Sequence, residues 1–303
     1  MTRRYAIYDV FTEKRLEGNP LAVVFDGDGL SDGAMQAIAQ EFNLSETVFV
    51  QRPGSAAHSA RLKIFTPTHE LPFAGHPTVG AAVALAEANH GDYGEPLDLM
   101  QVLEERVGPV RSAVRLKPGE ATFAEFDLPR KPGRLDARFD KQAIADALSL
   151  KATQIGFENH VISFWTAGVP FVMVPLHDVG AAAAVEFDAQ RWEQLAPMAE
   201  GRLANAYLYC RGGVNHMARF HARMFKPDMR EDPATGSAVA ALAGAINLFD
   251  ELVDGHHPIL IEQGVEMGRP SFIHLHLDIA GGKIATARIG GHAVKVAGGE
   301  LAI

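Results

Sequence analysis

The chain repeats one arrangement of turns and apolar segments in its two halves. In each half a Phe-x-Pro turn precedes a glycine-containing segment and a long apolar stretch, and a shorter Gly-x-Pro turn lies upstream. Repeated elements in the same order predict two similarly folded halves, and ligand sites occur preferentially at domain interfaces, so we expect the functional site in the cleft between them. The paired segments are residues 18–20 and 168–170, 65–67 and 225–227, and 75–77 and 235–237.

Length and composition restrict the class of protein. A chain of 303 residues is long enough for two domains. We predict that the first consists of residues 1–128 together with 291–303, and that the second consists of residues 135–290. The 28 basic and 37 acidic residues leave a formal charge of −9 with no basic cluster, so nucleic acid is not an expected partner. The first residues lack the apolar segment of a signal peptide, and no apolar run approaches the roughly 20 residues that span a bilayer. We therefore expect a cytoplasmic protein without membrane contact.

Apolar periodicity predicts strand-rich halves. Residues 31–42 read as an amphipathic helix with Ser31 as N-cap and Ala34, Ile38 and Phe42 on its apolar face. Residues 81–86 and 238–246 are apolar on nearly every side, which is typical of a helix wrapped by a sheet. Strands are predicted near residues 5–11, 21–25, 47–51, 61–65, 110–116, 121–128, 161–165, 171–175, 206–210 and 217–225, and further helices near 140–148 and 188–197.

Glycines and prolines mark the predicted breaks. Residues 129–134 contain two prolines and a glycine, which predicts a linker. After residue 259 the chain reads mostly as strand, with glycine turns predicted at residues 281–282, 290–291 and 298–299. A dinucleotide-binding Gly-x-Gly-x-x-Gly pattern does not follow any strand. The single cysteine, Cys210, lies in an apolar run and is interpreted as a small core residue.

The two apolar helices begin with residues suited to binding an anion. Pro77 is compatible with a first helical position, and Gly236 lets a ligand approach the backbone. If a pseudo-twofold axis relates the halves, both helix N-termini point into one cleft, where free N–H groups attract a substrate carboxylate. The alternative is that both are merely well-capped helices.

Three ionisable residues near these helices are candidates for proton transfer. Glu46 begins an apolar strand, where desolvation would raise the pKa of a carboxyl toward neutrality. Taken alone, Glu46 could be a solvated strand-end charge, His76 a structural histidine and Asp232 a turn residue before Pro233. Their combination with two glycine-containing helix starts favours a catalytic site.

Five segments resemble the phenazine-biosynthesis PhzF-like family, in the same order and over almost the whole chain. Members of that family have a diaminopimelate epimerase-like α+β fold: two pseudo-twofold-related, barrel-like domains, each a curled, mostly antiparallel sheet around a central helix. The segments are residues 9–12 with 18–20, 43–47, 73–78, 231–237, and 263–264 with 268–271.

The resemblance implies a function and a set of site residues. Glu46 would transfer the proton, supported by His76 and Asp232, and no metal or cofactor would take part. The best-known family reaction isomerises trans-2,3-dihydro-3-hydroxyanthranilate. The implied substrate-binding residues are Ser45, Gly75, Thr235, Gly236 and Ser237.

Cysteine content separates this chain from related racemases. Epimerases and proline racemases of this fold use two facing thiols, whereas this chain has one cysteine. A single carboxyl that moves a proton between two carbons suits a hydrogen-shift isomerisation. A non-catalytic anion-binding protein, or a lyase or epimerase that uses Asp232 or His76 as a second proton carrier, is the alternative.

Other patterns give weaker predictions. Zinc is an alternative interpretation of His274 and His276, but their strand alternates with apolar residues as an outward face does, so we expect no metal. Met229 and Arg230 depart from the family pattern and would alter the pocket. The expected partners are a small carboxylate metabolite and, because strand edges are exposed, a second copy of the chain in a homodimer.

Overall fold

The computed structural model describes residues 2–91, 93–227 and 231–303. It divides into two compact units, which we call unit 1 (Met1–Pro129 with Gly290–Ile303) and unit 2 (Arg130–Ile289). The last strand begins in unit 2 and ends in unit 1. Because contacts cluster within each unit, each has its own set of strands around its own buried helix.

Unit 1 consists mostly of strands, with two helices among its described residues. Its helices are α1 (Asp32–Phe42) and α2 (Gly75–His90). Its strands are β1 (Thr2–Val10), β2 (Asn19–Val24), β3 (Glu46–Gln51), β4 (Ala60–Phe65), β5 (Glu70–Leu71), β6 (Leu97–Glu105), β7 (Gly108–Leu116) and β8 (Thr122–Asp127).

Unit 2 contains more helices, most of them short. These are α3 (Lys141–Ala147), a 3-10 helix (Ala152–Gln154), α4 (Val179–Ala183), α5 (Ala189–Leu195) and α6 (Gly236–Phe249). Its strands are β9 (Gly133–Leu135), β10 (Ser163–Thr166), β11 (Pro170–Pro175), β12 (Met198–Ala199), β13 (Arg202–Leu203), β14 (Asn205–Arg211), β15 (Phe220–Phe225), β16 (Glu231–Asp232), β17 (Gly255–Gln263) and β18 (Ser271–Ala280), followed by the shared β19 (Lys283–Ala302).

The strands of unit 1 form a closed, barrel-like sheet. β19 pairs with β1, and the order continues through β2, β3, β4, β6 and β7 to β8, which pairs with β19 again. The β2–β3 and β4–β6 pairs are parallel, and the remaining pairs with a described register are antiparallel. Helix α2 contacts strands around this ring, so it occupies the interior of the sheet.

Unit 2 repeats this topology. β11 pairs in parallel with β14, β14 is antiparallel to β15, β15 pairs in parallel with β17, and β17 forms a hairpin with β18. Helix α6 packs against β9, β10, β11 and β18 and takes the place of α2. The sequence repeat is therefore a repeat of fold: each unit is a curled, mostly antiparallel sheet around a central helix.

Burial explains why both central helices are apolar on every side. In α2 every residue from Gly75 to Ala86 is buried, as are Ala238 to Ile246 in α6. A helix inside a curled sheet has no solvent face, so polar side chains are tolerated only at its ends. The prediction of two sheet-wrapped helices is confirmed.

Other local predictions are confirmed with small shifts. Ser31 caps α1 by accepting a hydrogen bond from the Ala34 backbone N–H. Of the predicted apolar face, Ile38 is buried and Ala34 and Phe42 are partly buried, whereas the buried Met35 and Ala39 were not predicted. Cys210 is fully buried in the unit 2 core, and burial raises the pKa of its thiol to about 12. It is a core residue, as predicted.

The sequence prediction missed β6 and misplaced two glycine turns. The inward positions of β6 include Gln101 and Glu105, so its apolar alternation is weak. The turn at residues 281–282 is present, but the pairs at 290–291 and 298–299 lie within β19. A Cβ at Gly290 would overlap the β8 backbone, and the 298–299 pair packs against Tyr5, so these glycines permit close strand approach instead of a turn.

Among the residues that the structure describes, no helix combines enough length with enough apolarity to cross a membrane.

We predict that Gly244→Ala destabilises the protein although alanine favours helix formation by about 1 kcal/mol. A Cβ at Gly244, within α6, would overlap the ring of Trp165, which is buried and held by a hydrogen bond to Ser163. Overpacking of this kind costs about 1–3 kcal/mol. Urea unfolding measures the change in the free energy of unfolding.

Gly33→Ala is the matched control for that substitution. Gly33 also lies in a helix, α1, but a Cβ there would meet only the Ser31 hydroxyl at 3.9 Å. Gly33→Ala should therefore be neutral or stabilising by up to about 1 kcal/mol. Equal effects of the two substitutions would contradict the proposed close contact between α6 and the sheet.

Candidate active site

Glu46 and His76 lie together in unit 1. Glu46 is the first residue of β3, and His76 is the second residue of α2. His76 Nδ1 is 3.1 Å from a carboxylate oxygen of Glu46, and their side chains are 5% and 12% exposed. This distance permits one hydrogen bond between an imidazole and a carboxyl that are both largely removed from water.

The start of α2 leaves backbone N–H groups without an N-cap side chain. The residue before the helix is Ala74, whose methyl group cannot accept a hydrogen bond. Pro77 is the third helical residue rather than the first, and its missing N–H removes one of the donors that a helix start leaves unpaired. The first turn therefore presents a partial positive charge beside the Glu46–His76 pair, which favours an anionic ligand.

A buried acid anchors this first turn to the sheet. The side chain of Glu105, the last residue of β6, lies 2.7 Å from the Thr78 hydroxyl, which is also 2.7 Å from the Ala74 carbonyl. Burial raises the pKa of Glu105 to about 8, and the Thr78 hydrogen bond opposes this shift. The Thr78 hydroxyl donates toward both acceptors, so it links the Glu105 carboxyl to the backbone at the start of α2.

Asp232 and Thr235 lie together in unit 2. Asp232 is the last residue of β16, and Thr235 is the residue immediately before α6. The Thr235 hydroxyl donates to a carboxylate oxygen of Asp232 at 2.5 Å, so it does not cap the helix. Gly236 is buried as the first helical residue, and Ser237 is half-buried.

Gln263 holds this second group in place. Its Nε2 donates to the Asp232 carbonyl at 2.7 Å and to the Thr235 hydroxyl at 3.1 Å. Its Oε1 accepts from the Thr235 backbone N–H at 3.2 Å and from the Tyr207 hydroxyl at 3.3 Å. The side chain is fully buried with both amide atoms bonded, so it is an ordering element for the start of α6.

Gly264 makes the approach of Gln263 possible. Its φ of +79° lies in the left-handed region, and a Cβ there would fall 2.5 Å from the Pro233 carbonyl oxygen. A larger residue would push the chain away from the turn before α6. The Gln263-Gly264 pair belongs to the segments that carry the family resemblance, but its role is visible only in the structure.

The predicted site residues thus form two groups. Glu46 and His76 are in contact in unit 1, where Ser45 precedes β3 and Gly75 begins α2. Asp232, Thr235, Gly236 and Ser237 surround the start of α6 in unit 2. Sequence analysis missed Thr78, Glu105 and Gln263 as functional neighbours, since none of them is distinguished by periodicity.

Sequence analysis predicted a departure from the family's residue pattern at Met229 and Arg230. Residues 228–230 lie outside the described residues, so the effect of these two side chains on a pocket stays a prediction.

Comparison with known proteins places the chain among isomerases with an epimerase-like fold. The family model for phenazine biosynthesis-like protein matches residues 8–299, and the chain belongs to this PhzF family. It is 56% identical to an uncharacterized isomerase of Mesorhizobium japonicum, over 100% of this chain and 99% of that protein. It is 33% identical to the trans-2,3-dihydro-3-hydroxyanthranilate isomerase of Pseudomonas fluorescens, with 99% of both chains covered.

Solved structures confirm the predicted fold class. A PhzF-family protein of Bacillus anthracis matches with a TM-score of 0.87 at 24% identity, over 100% of both chains. The same architecture occurs in a hydroxyproline epimerase of Agrobacterium vitis, with a TM-score of 0.66 at 13% identity over 99% of this chain and 92% of that one. At these identities the likeness concerns the fold alone.

We predict that Gln263→Leu destabilises the protein by about 2–4 kcal/mol. The leucine would leave the Asp232 carbonyl and the Thr235 N–H buried without these partners, and each such loss costs about 1–3 kcal/mol. Tyr207→Phe is the control, because it removes one 3.3 Å hydrogen bond from the same amide and should cost about 1 kcal/mol or less. Urea unfolding that gives equal losses would argue against the anchoring role of Gln263.

We predict that Glu105→Gln stabilises the protein increasingly as pH rises. The folded-state pKa of Glu105 is raised from 4.5 to about 8, so the wild-type protein loses stability by about 1.4 kcal/mol per pH unit between these values. Glutamine imitates the protonated acid and removes this loss. Urea unfolding at about pH 5, 7 and 9 should show a growing advantage of the variant.

Glu104→Gln is the neighbouring control. The pKa of Glu104 is lowered to about 2, mainly by a hydrogen bond from the Gly54 backbone N–H and to a smaller extent by one with His58. Its contribution is therefore present above its unfolded pKa and is lost only as pH falls toward 2. Between about pH 7 and 9 the effect of Glu104→Gln should not change with pH, whereas that of Glu105→Gln still grows up to about pH 8, and a parallel trend in both variants would refute the assignment to Glu105.

Proposed function

We propose that the protein is a cofactor-independent isomerase that moves a proton within a small carboxylated metabolite, with Glu46 as the general acid and base. The observation that carries this proposal is the 3.1 Å contact between Glu46 and His76 at the N-terminus of α2, which has no capping side chain. The isomerase relatives support the reaction class.

The chemistry assigned to Glu46 is a proton shift. The Glu46 carboxylate takes a proton from one carbon of the substrate, and the electron pair of that C–H bond enters the conjugated system. The Glu46 carboxylic acid then returns the proton to a second carbon, which completes the movement of the double bond. No electrons are gained or lost overall, so no oxidant or reductant is required.

His76 is proposed to orient and tune Glu46. A hydrogen bond from Nδ1 fixes the carboxyl and favours its ionised form when the proton must be taken. The partial positive charge of the α2 N-terminus is suited to a substrate carboxylate, and Gly75 lacks a side chain that would block its approach.

The roles proposed for the other site residues rest on the family resemblance. Asp232 would assist Glu46, and Ser45, Thr235, Gly236 and Ser237 would bind the substrate. The proposed substrate class is anthranilate-like, because a relative at 33% identity is named trans-2,3-dihydro-3-hydroxyanthranilate isomerase.

We predict that Glu46→Gln lowers kcat on trans-2,3-dihydro-3-hydroxyanthranilate by about 10²- to 10⁴-fold, the usual contribution of positioned proton transfer. Glutamine keeps the size and hydrogen-bonding ability of the side chain but cannot accept a proton. Turnover is followed by absorbance, and deuterium incorporation from heavy water by mass spectrometry. Substrate affinity of the variant, measured by calorimetry, should change much less than kcat.

Glu41→Gln is the control, since Glu41 is an exposed glutamate on α1. It should leave both turnover and affinity unchanged. Full activity of Glu46→Gln would refute Glu46 as the proton carrier. Binding of substrate by the wild-type protein without turnover or deuterium exchange would favour the non-catalytic anion-binding alternative.

A further inference from the structure

Three histidines lie along one face of the β17–β18 hairpin in unit 2. We call His256, His274, His276 and Asp278 the histidine face. In the hairpin register His256 is opposite Asp278, Pro258 is opposite His276, and Leu260 is opposite His274. Since residues directly opposite each other share a sheet face, the three imidazoles follow one another along this side of the hairpin. Residues 273, 275 and 277 of β18 are buried on the other face.

Two of the imidazoles, those of His256 and His276, are close enough to share a ligand. His276 Nδ1 lies 3.3 Å from His256 Nε2, with ring centroids 5.3 Å apart. The rings of His274 and His276 are nearly parallel, with an interplanar angle of 16° and centroids 6.4 Å apart. A short nitrogen–nitrogen separation of this kind occurs when one proton, or one metal ion, lies between two rings.

The separation matches tetrahedral metal coordination. Zinc–nitrogen bonds of about 2.0–2.1 Å at a tetrahedral angle place two ligand nitrogens about 3.3–3.4 Å apart. Imidazole nitrogen is also a suitable ligand for nickel and copper ions. The spacing seen between His276 Nδ1 and His256 Nε2 therefore needs little rearrangement to hold such an ion.

A carboxylate orients the first of these ligands. Asp278 Oδ1 lies 2.8 Å from His256 Nδ1, and the Thr286 hydroxyl donates to the other oxygen of Asp278. A proton on Nδ1 that is held by a carboxylate leaves the lone pair on Nε2, the atom that faces His276. Metal-bound histidines in proteins are commonly held by a carboxylate in this way.

We propose that the histidine face binds one divalent transition-metal ion through His256 Nε2 and His276 Nδ1, with Asp278 orienting His256 and with solvent completing the coordination. The site is accessible, because the His256 side chain is 45% exposed. It is formed by unit 2 residues alone and does not rest on the proposed isomerase function. The ion would stabilise the hairpin by linking its two strands.

A second cluster of possible metal ligands is less suited to a cation than the histidine face is. Glu158, His160 and Asp250 also lie close together in unit 2. Asp250 already forms ion pairs with Arg211 and Arg219, and Glu158 pairs with Arg211. Two guanidinium groups beside these carboxylates repel a further cation. The experiment must therefore distinguish an ion at the histidine face from an ion at this cluster.

The proposal is tested by calorimetric titration of the full, tag-free chain with zinc chloride. We expect one ion per chain, and a Kd at least about tenfold weaker in His256→Gln and in His276→Gln. Asp278→Asn should weaken binding by about tenfold or more, because orienting partners typically contribute 10- to 100-fold. His274→Gln should have a smaller effect than either of the first two.

His257→Gln is the matched control. His257 adjoins His256, but it is opposite Leu277 on the other face of the hairpin, and its Nε2 lies 2.7 Å from the Val253 carbonyl oxygen. Its substitution should leave zinc binding unchanged. Circular dichroism establishes that each variant is folded, and anomalous diffraction from zinc-soaked wild-type crystals gives a readout that needs no variant.

Three outcomes would overturn the proposal. These are no zinc binding tighter than about 1 mM, zinc affinity that is unchanged in both His256→Gln and His276→Gln, and anomalous density at Glu158, His160 and Asp250 in place of the histidine face. Density between His256 and His276 with one ion per chain would support it.

Discussion

Enclosure of a helix by a sheet is the constraint on which both units depend. A helix without a solvent face must be apolar throughout, and its backbone groups are satisfied internally except at the two ends. In α2 and α6 the buried stretch begins at the first helical residue. Polar chemistry is therefore restricted to the helix starts, which is where Glu46 with His76, and Asp232 with Thr235, are found.

In each unit the N-terminus of the central helix is held by a residue at the same position of the repeated fold. β6 and β17 are equivalent strands, since each pairs in parallel with the last long strand before the central helix, β4 or β15, and each ends in the anchoring residue. In unit 1 that residue is Glu105, which reaches Thr78. In unit 2 it is Gln263, which reaches Thr235. A protonated acid and an amide serve the same purpose because both offer a donor and an acceptor without charge.

Different parts of the candidate site were predictable to different degrees. Glu46, His76, Asp232 and Thr235 lie in short segments with distinctive residue types, so sequence analysis named them as candidates. Glu105 and Gln263 were missed because each acts on a residue 27 or 28 positions away along the chain. His276 was weighed with His274 as a zinc ligand and set aside, because its closeness to His256, 20 positions away, arises only through the hairpin register.

The sequence by itself determined the repeat, the two central helices and most of the strands, because apolar period and turn residues act over a few neighbouring positions. Tertiary structure decided where polar side chains meet and whether a glycine forms a turn. Gly290 and Gly298 read as turn residues along the chain, yet they lie in β19 because a neighbouring strand approaches too closely for a side chain. Such distances depend on which strands become neighbours, and the local residue pattern does not predict this pairing.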